Sequence, residues 1–261
     1  MVIKMIKNKA QVTIFIIIAI LIVALVLLFF LLRGSIIPGE PGGYDENPNI
    51  ALGDCLDVPI KDGIELISSQ GGNIEPLFYK DFKFSDEPAP VKITYLCYNV
   101  NDYIPCINQE PMLIQHLKDE MYNYISDDVK RCFDDIASNL DRQGYTVDAT
   151  YRDFEIDLIS KKVIVDIDAK LIITKGSESK TYDGFKITES SRFYDLALVV
   201  QEIVNQEVKY CNFENLGYML LHPNIKITEK TVSNESMIYI VKSRKTEEEF
   251  TFAVRSCALK I

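Results

Sequence analysis

Residues 163–173 read VIVDIDAKLII, and this stretch decides the fold class. Val163, Val165, Ile167, Ala169, Leu171 and Ile173 fall on alternate positions, with Asp166, Asp168 and Lys170 between them. An apolar side chain at every second residue is the period of a strand, whose successive side chains point to opposite faces. One face is then buried and the other wet, which favours antiparallel pairing. The flanks supply partners. Upstream, Phe154, Ile156 and Leu158 alternate with Glu155 and Asp157, and Lys161-Lys162 offers a turn. Downstream, Gly176-Ser177-Glu178-Ser179 turns the chain into a third strand near 182–187.

On either side of these strands the period changes to that of a helix. After Pro111, the residues Leu113, Leu117, Met121, Tyr124, Val129, Cys132, Phe133, Ile136 and Leu140 recur at steps of about three and four. Pro suits a first helical position and Gly144 follows the end. A second stripe, Phe193, Leu196, Val200, Ile203, Val204 and Val208, predicts another helix, capped by Ser190 or Thr188. A short helix is expected near Asp62, with Ile64 and Ile67 inward and Gln70-Gly71-Gly72 as its stop. Residues 91–98 alternate as a strand, and three more strands are expected near 225–231, 237–241 and 250–257, the last two joined around Arg244-Lys245-Thr246. Helix runs and strand runs are grouped rather than alternating. The expected class is therefore α+β, helices packed on a mostly antiparallel sheet.

Ahead of this domain, residues 12–32 read VTIFIIIAILIVALVLLFFLL without one charge. As a helix, the stretch spans roughly 31 Å, about the hydrocarbon thickness of a bilayer. It ends in Phe29, Phe30, Leu31 and Leu32, which offer no signal-peptidase site. A retained transmembrane helix in contact with lipid is expected here. Lys4, Lys7 and Lys9 precede it, and only Arg33 follows before a Gly/Pro stretch, so the positive-inside rule places the N-terminus in the cytoplasm. The expected division is a cytoplasmic N-terminus over 1–11, a transmembrane helix over 12–33, a Gly/Pro-rich linker over 34–49 and an extracytoplasmic domain over 50–261, on a single-pass cell-membrane protein.

The run Lys9-Ala10-Gln11-Val12-Thr13-Ile14-Phe15 leading into the apolar stretch resembles the N-terminus of archaeal type IV pilin-like proteins, and that of membrane-anchored surface proteins of small-genome archaea. The resemblance covers about 25 residues. It implies a class III signal peptide cut between Ala10 and Gln11. Pilins carry Glu five residues into the mature helix, and this chain has Phe15 there. Simple anchoring is therefore favoured over filament assembly, which stands as the alternative.

Charge and cysteines bound the rest. Of the 28 Lys and Arg, four flank the apolar segment, so beyond Arg33 24 basic residues face 38 acidic ones, a net of −14. Such a surface repels nucleic acid, which is set aside as a partner. Cys55, Cys97, Cys106, Cys132, Cys211 and Cys257 all lie beyond the apolar segment. Their even number and the absence of metal spacing suit three disulfides in an oxidising compartment, the alternative being six reduced, buried thiols. About 15 connectivities are open; the working set is Cys97 with Cys106, Cys211 with Cys257 and Cys55 with Cys132.

No catalytic, cofactor-binding or metal-binding residue is assigned. His116 and His222, the two histidines, stand apart, and no P-loop, nucleophile-elbow or zinc-protease motif occurs. The acidic residues Asp54, Asp57, Asp62 and Glu65 lack calcium-loop spacing. Asn234-Glu235-Ser236 is a glycosylation sequon. Tyr95, Tyr98, Tyr103, Tyr122 and Tyr124 concentrate where a protein or glycan partner can be met, although tyrosines also pack core edges. The expected function is a membrane-anchored surface protein with an extracytoplasmic binding or structural domain and no catalysis. The alternatives are a filament subunit and an envelope enzyme with an unrecognised site.

Overall fold

The computed structural model describes residues 22–23, 47–85, 88–232 and 235–258. A compact unit spans Glu46–Ile261. Among its described residues it is α+β, with four helices and two sheets: α1 (Pro48–Ser69), α2 (Leu113–Arg142), α3 (Phe193–Tyr210) and α4 (Asn215–Leu221). The strands are β1 (Tyr79–Phe82), β2 (Val91–Tyr98), β3 (Ile107–Asn108), β4 (Thr146–Ile159), β5 (Lys162–Lys175), β6 (Glu178–Ser190), β7 (Ile225–Val232), β8 (Ser236–Ser243) and β9 (Glu249–Arg255).

The expected fold began with a transmembrane helix, and this is corrected. Among the described residues no helix is long and apolar enough to cross a membrane. The physical reason is amphipathicity: α1 carries Asp54, Asp57, Lys61, Asp62 and Glu65, and α3 carries Asp195, Glu202, Glu207 and Lys209. Of the stretch 12–32 only Ile22 and Val23 are described; the rest, with the processing position Ala10-Gln11, lies outside the described residues. A single sheet was also expected, whereas there are two.

The alternating run at 163–173 is the middle strand of the smaller sheet, ordered β4-β5-β6 and antiparallel throughout. Val163, Val165, Ile167, Ala169 and Leu171 are buried, as the period requires. The opposite face is charged, and Arg152 holds Asp168 while Lys186 holds Asp166 across strands. The β4–β5 turn places Lys161 at φ +65°.

The larger sheet runs β1-β2-β9-β8-β7, with β3 added to the far part of the β2 edge. All its pairings are antiparallel except β2 with β9, which is parallel. Its two faces differ. Tyr239, Phe250 and Phe252 are buried, Phe250 stacking with Phe193 of α3 and Phe252 with Tyr239. On the other face Ile93, Tyr95, Ile238 and Ala253 form a small cluster, covered by Phe82 and Phe84. Lys230 lies over both of these rings.

The helices link the sheets: α2 contacts β4, α1 contacts β6 and β9, and α3 touches strands of both. Helix α1 starts earlier than the sequence predicted, in what was read as linker. Asn47 caps it, its Oδ1 accepting from Asn49 N at 3.2 Å, and Pro48 takes the first helical position. Leu52, Leu56, Ile60, Ile64 and Ile67 are its buried stripe. Its end locks onto β2, since Thr94 N donates to Gln70 O at 3.1 Å. Gly71 is needed there: at φ +76° an added Cβ would also lie 3.0 Å from Thr94 Cβ. Gly63 permits the close approach of α1 to α2, because a Cβ at that position would meet Tyr124 Cδ1 at 2.8 Å. Tyr124 is therefore half-buried against α1, and Ile125 takes the inward position on α2.

The start of α3 also differs from expectation. Thr188 and Ser190 are the end of β6, not caps. Ser191 Oγ accepts from Phe193 N at 3.0 Å, and the Glu248 carboxylate, from the β8–β9 turn, accepts from Arg192 N at 2.9 Å. Further along, Glu207 rather than Val208 faces inward. Glu207 is 0 % exposed, accepts from Tyr239 Oη through Oε1, and has no partner for Oε2. Burial raises its carboxyl above the usual range, with exposed Glu229 adding to the effect.

Two stability tests follow from these contacts. Gly63→Leu forces apart α1 and α2 and is expected to cost about 1–3 kcal/mol in denaturant unfolding. Gly53→Ala on the same helix meets only Ile187 Cδ1 at 3.9 Å. It is expected to stabilise by roughly 0.5–1 kcal/mol. For Glu207, the folded state holds the proton at a pH where the unfolded chain, near its ordinary value of ~4.3, releases it. Stability from this group is full below that value and is lost as pH rises above it. Glu207→Gln should therefore unfold like the parent near pH 4 and become increasingly the more stable protein toward pH 8, read by thermal melts across that range.

Candidate functional site

The six cysteines form three disulfides in this domain, Cys55–Cys132, Cys97–Cys106 and Cys211–Cys257, the same partners as the working set. The first joins α1 to α2. The third fixes the end of β9 to the residue that closes α3, Cys211, at φ +55°. The second closes a short loop between β2 and β3, and this loop is one wall of a cleft.

The cleft lies at the end of the larger sheet, on its non-helical face, with a volume of about 940 Å³. Aromatic side chains from the start of β1 and the end of β2 shape it. Phe78 meets Tyr98 edge to face at 4.7 Å and 84°, and Tyr95 at 5.1 Å. Tyr95 and Tyr98 are 5.0 Å apart. Such edge-to-face pairs add to burial energy and fix each ring. Phe78 remains 43 % exposed, and Leu77 and Val100 beside it are more exposed still. Burial pushes the Tyr95 phenol up, keeping it protonated, and it shares a hydrogen bond of 2.8 Å with buried Ser236.

Arg255, the last residue of β9, enters beneath Tyr98, its guanidinium 5.9 Å from the ring centre. It donates to Asn99 O, and its Nη2 lies 2.6 Å from Asp102 Oδ1. Asn99 N returns a bond to Arg255 O at 3.0 Å, and Asn99 Nδ2 donates to Pro105 O at 2.8 Å. Tyr103 N bonds Ala258 O, and Cys257 N bonds Ile104 O. The loop is thus held by a disulfide at its base and by Arg255 and the residues after β9 along its length. Lys80, Asp81 and Glu235 complete the rim. Positive and negative groups are mixed, so the cleft offers many hydrogen-bonding groups without a strong field of one sign.

A second cleft lies among α1, the end of β6 and the β8–β9 turn. Its main polar group, Glu248, is occupied as the cap of α3. Glu189 there is raised by burial, opposed by Lys61 at 3.8 Å. Its aromatic lining is Phe193, which is buried, and Phe84, which is half-buried.

The other sequence candidates are scattered. Asp54, Asp57, Asp62 and Glu65 spread along α1, and Asp57 pairs with Lys61 at 2.6 Å. Among the described residues no three His, Cys, Asp or Glu side chains are grouped to hold a metal. His116 is half-buried and its Nε2 bonds Asn73 Oδ1 at 3.1 Å; His222 stacks on Tyr218. Tyr122 stacks on Phe154 and donates to Asp153, away from the cleft. The sequon residue Asn234 lies outside the described residues. Phe78 and Arg255 were not singled out from the sequence. The one signal was Arg255 at the end of the strand EFTFAVR, on the same alternate positions as Thr251 and Ala253.

Compared with known proteins, the chain matches no family model, no curated protein and no solved structure.

Arg255→Met removes the bonds that hold the loop while keeping an apolar stem. Hydrogen exchange at the Asn101 and Tyr103 amides is expected to quicken about tenfold, or ~1.4 kcal/mol of local stability. Exchange in β4–β6 should be unchanged.

Proposed function

We propose that this chain is a cell-surface protein whose α+β domain works outside the cytoplasm as a binding module, with its ligand met in the Phe78–Tyr95–Tyr98 cleft. The observation that carries the location is the cysteine chemistry: three disulfides, and no free cysteine among the described residues. Disulfides persist in oxidising compartments and are rare in a reducing cytosol. The excess of Lys ahead of residue 12 supports the same orientation. Lipid contact through residues 12–32 belongs to the proposal and rests on the uncharged sequence there, not on any described helix.

Binding is favoured over catalysis by the make-up of the cleft. Arg255 is paired with Asp102, and among the described residues of the cleft none is arranged as a nucleophile beside a base. The domain's acidic surface argues against a nucleic-acid partner. A filament subunit remains the second reading, on the Ala10-Gln11 resemblance, with Phe15 against it.

Protease shaving of intact cells tests the location. The domain should be lost from whole cells without lysis; a domain cut only after lysis places it inside and overturns the proposal. N-terminal sequencing of the mature protein separates the two readings of the leader, since a chain still starting before Gln11 rules out pilin-type processing.

A further inference from the structure

We infer that the cleft at the end of the larger sheet is a saccharide-binding site, taking an uncharged sugar with its C–H face on the Phe78 ring, which Tyr98 meets edge to face. This rests on the cleft being where the domain meets its ligand, as proposed above.

Three features select the ligand class. The first is the platform. Phe78 is 43 % exposed yet fixed by ring contacts to Tyr95 and Tyr98. A ring already ordered loses little entropy when a ligand lands on it. Its negative π face attracts the polarised C–H bonds of a pyranose. The second is the polar rim. Asp81 and Glu235 present carboxylates, which accept through two oxygens, and Asp102 adds the oxygen that Arg255 does not hold. A ligand rich in adjacent O–H groups meets that acceptor-rich rim with donors. The third is charge. Against those three carboxylates stand Lys80 and Arg255, and Arg255 already faces Asp102 at 2.6 Å. The local balance gives an anionic ligand no net attraction. The volume, about 940 Å³, falls within the ~300–1,000 Å³ of small-ligand sites.

An extended peptide adding to the sheet edge is less well served. The edge of β2 is taken by β1 as far as Thr94 and by β3 at Cys97 and Tyr98. β1 itself has four residues. At this edge, beside the cleft, an incoming strand would find no long, continuous ladder to extend.

The test uses the full-length protein in detergent, with saturation-transfer NMR against maltotriose, mannotriose and N,N′,N″-triacetylchitotriose. At least one trisaccharide should show transfer concentrated on one C–H face. Phe78→Tyr should retain it, and Phe78→Leu, which keeps apolar bulk but removes the π face, should lower affinity about tenfold or more. Phe78 is at the surface, so thermal melts should match the parent for both variants. No transfer from any of the three sugars, or equal transfer in Phe78→Leu, overturns the inference. A random octapeptide pool run in parallel separates the two levels: peptide binding lost in Phe78→Leu would keep the cleft as the ligand site while overturning the saccharide class. Failure of the surface location is read independently by protease shaving.

Discussion

The approach of α1 to α2 at Gly63 sets the geometry on which the rest of the domain depends. Without a side chain at that position the ring of Tyr124 and the sulfur of Met121 lie almost against the α1 backbone. The Cys55–Cys132 disulfide fixes the same pair of helices two turns earlier on α1. From this joined pair, α2 reaches β4 of the small sheet, and α1 reaches β6 of the small sheet and β9 of the large one. The end of α1 then bonds to Thr94, which sets β2 in place. The position of β2 determines where Tyr95 and Tyr98 stand, and so where the cleft opens.

Much of this architecture is written locally in the chain. The β4–β5–β6 meander is legible because each strand alternates over many residues and each turn carries Gly or Lys pairs. Helix α2 is legible because its stripe holds for thirty residues. The first turns of α1 were hidden because their capping Asn47 and Pro48 sit in a Pro/Gly-rich neighbourhood that reads as linker, and because Pro59 interrupts the helix interior. Two-residue β3 has no pattern to read. Residue type misled at Val208, where apolarity suggested an inward side chain, yet the helical phase set by Ile203 and Val204 turns Glu207 inward instead.

The cleft was only half legible. Tyr95 and Tyr98 stand out in a strand-like run, and Cys97 with Cys106 frames a turn. Phe78 and Arg255 come from far along the chain, and nothing local says that they will meet. Their meeting requires the parallel pairing of β2 with β9, which no hairpin signal announces. The disulfides were legible as a number, but their partners depend on which helices and strands become neighbours.

The position of β9 also governs the order in which the domain can be made. This strand is near the end of the chain but in the interior of the larger sheet, between β2 and β8, pairing Tyr95 with Ala253. A chain emerging in sequence order can close the β4–β6 meander and the short Cys97–Cys106 loop early. The larger sheet cannot close until residues near 255 have emerged, and until then β2 and β8 present open edges. Long-range pairing of this kind is slow and exposes strand edges meanwhile. In that interval Cys211 has no native partner, so the Cys211–Cys257 bond forms only after β9 is in place.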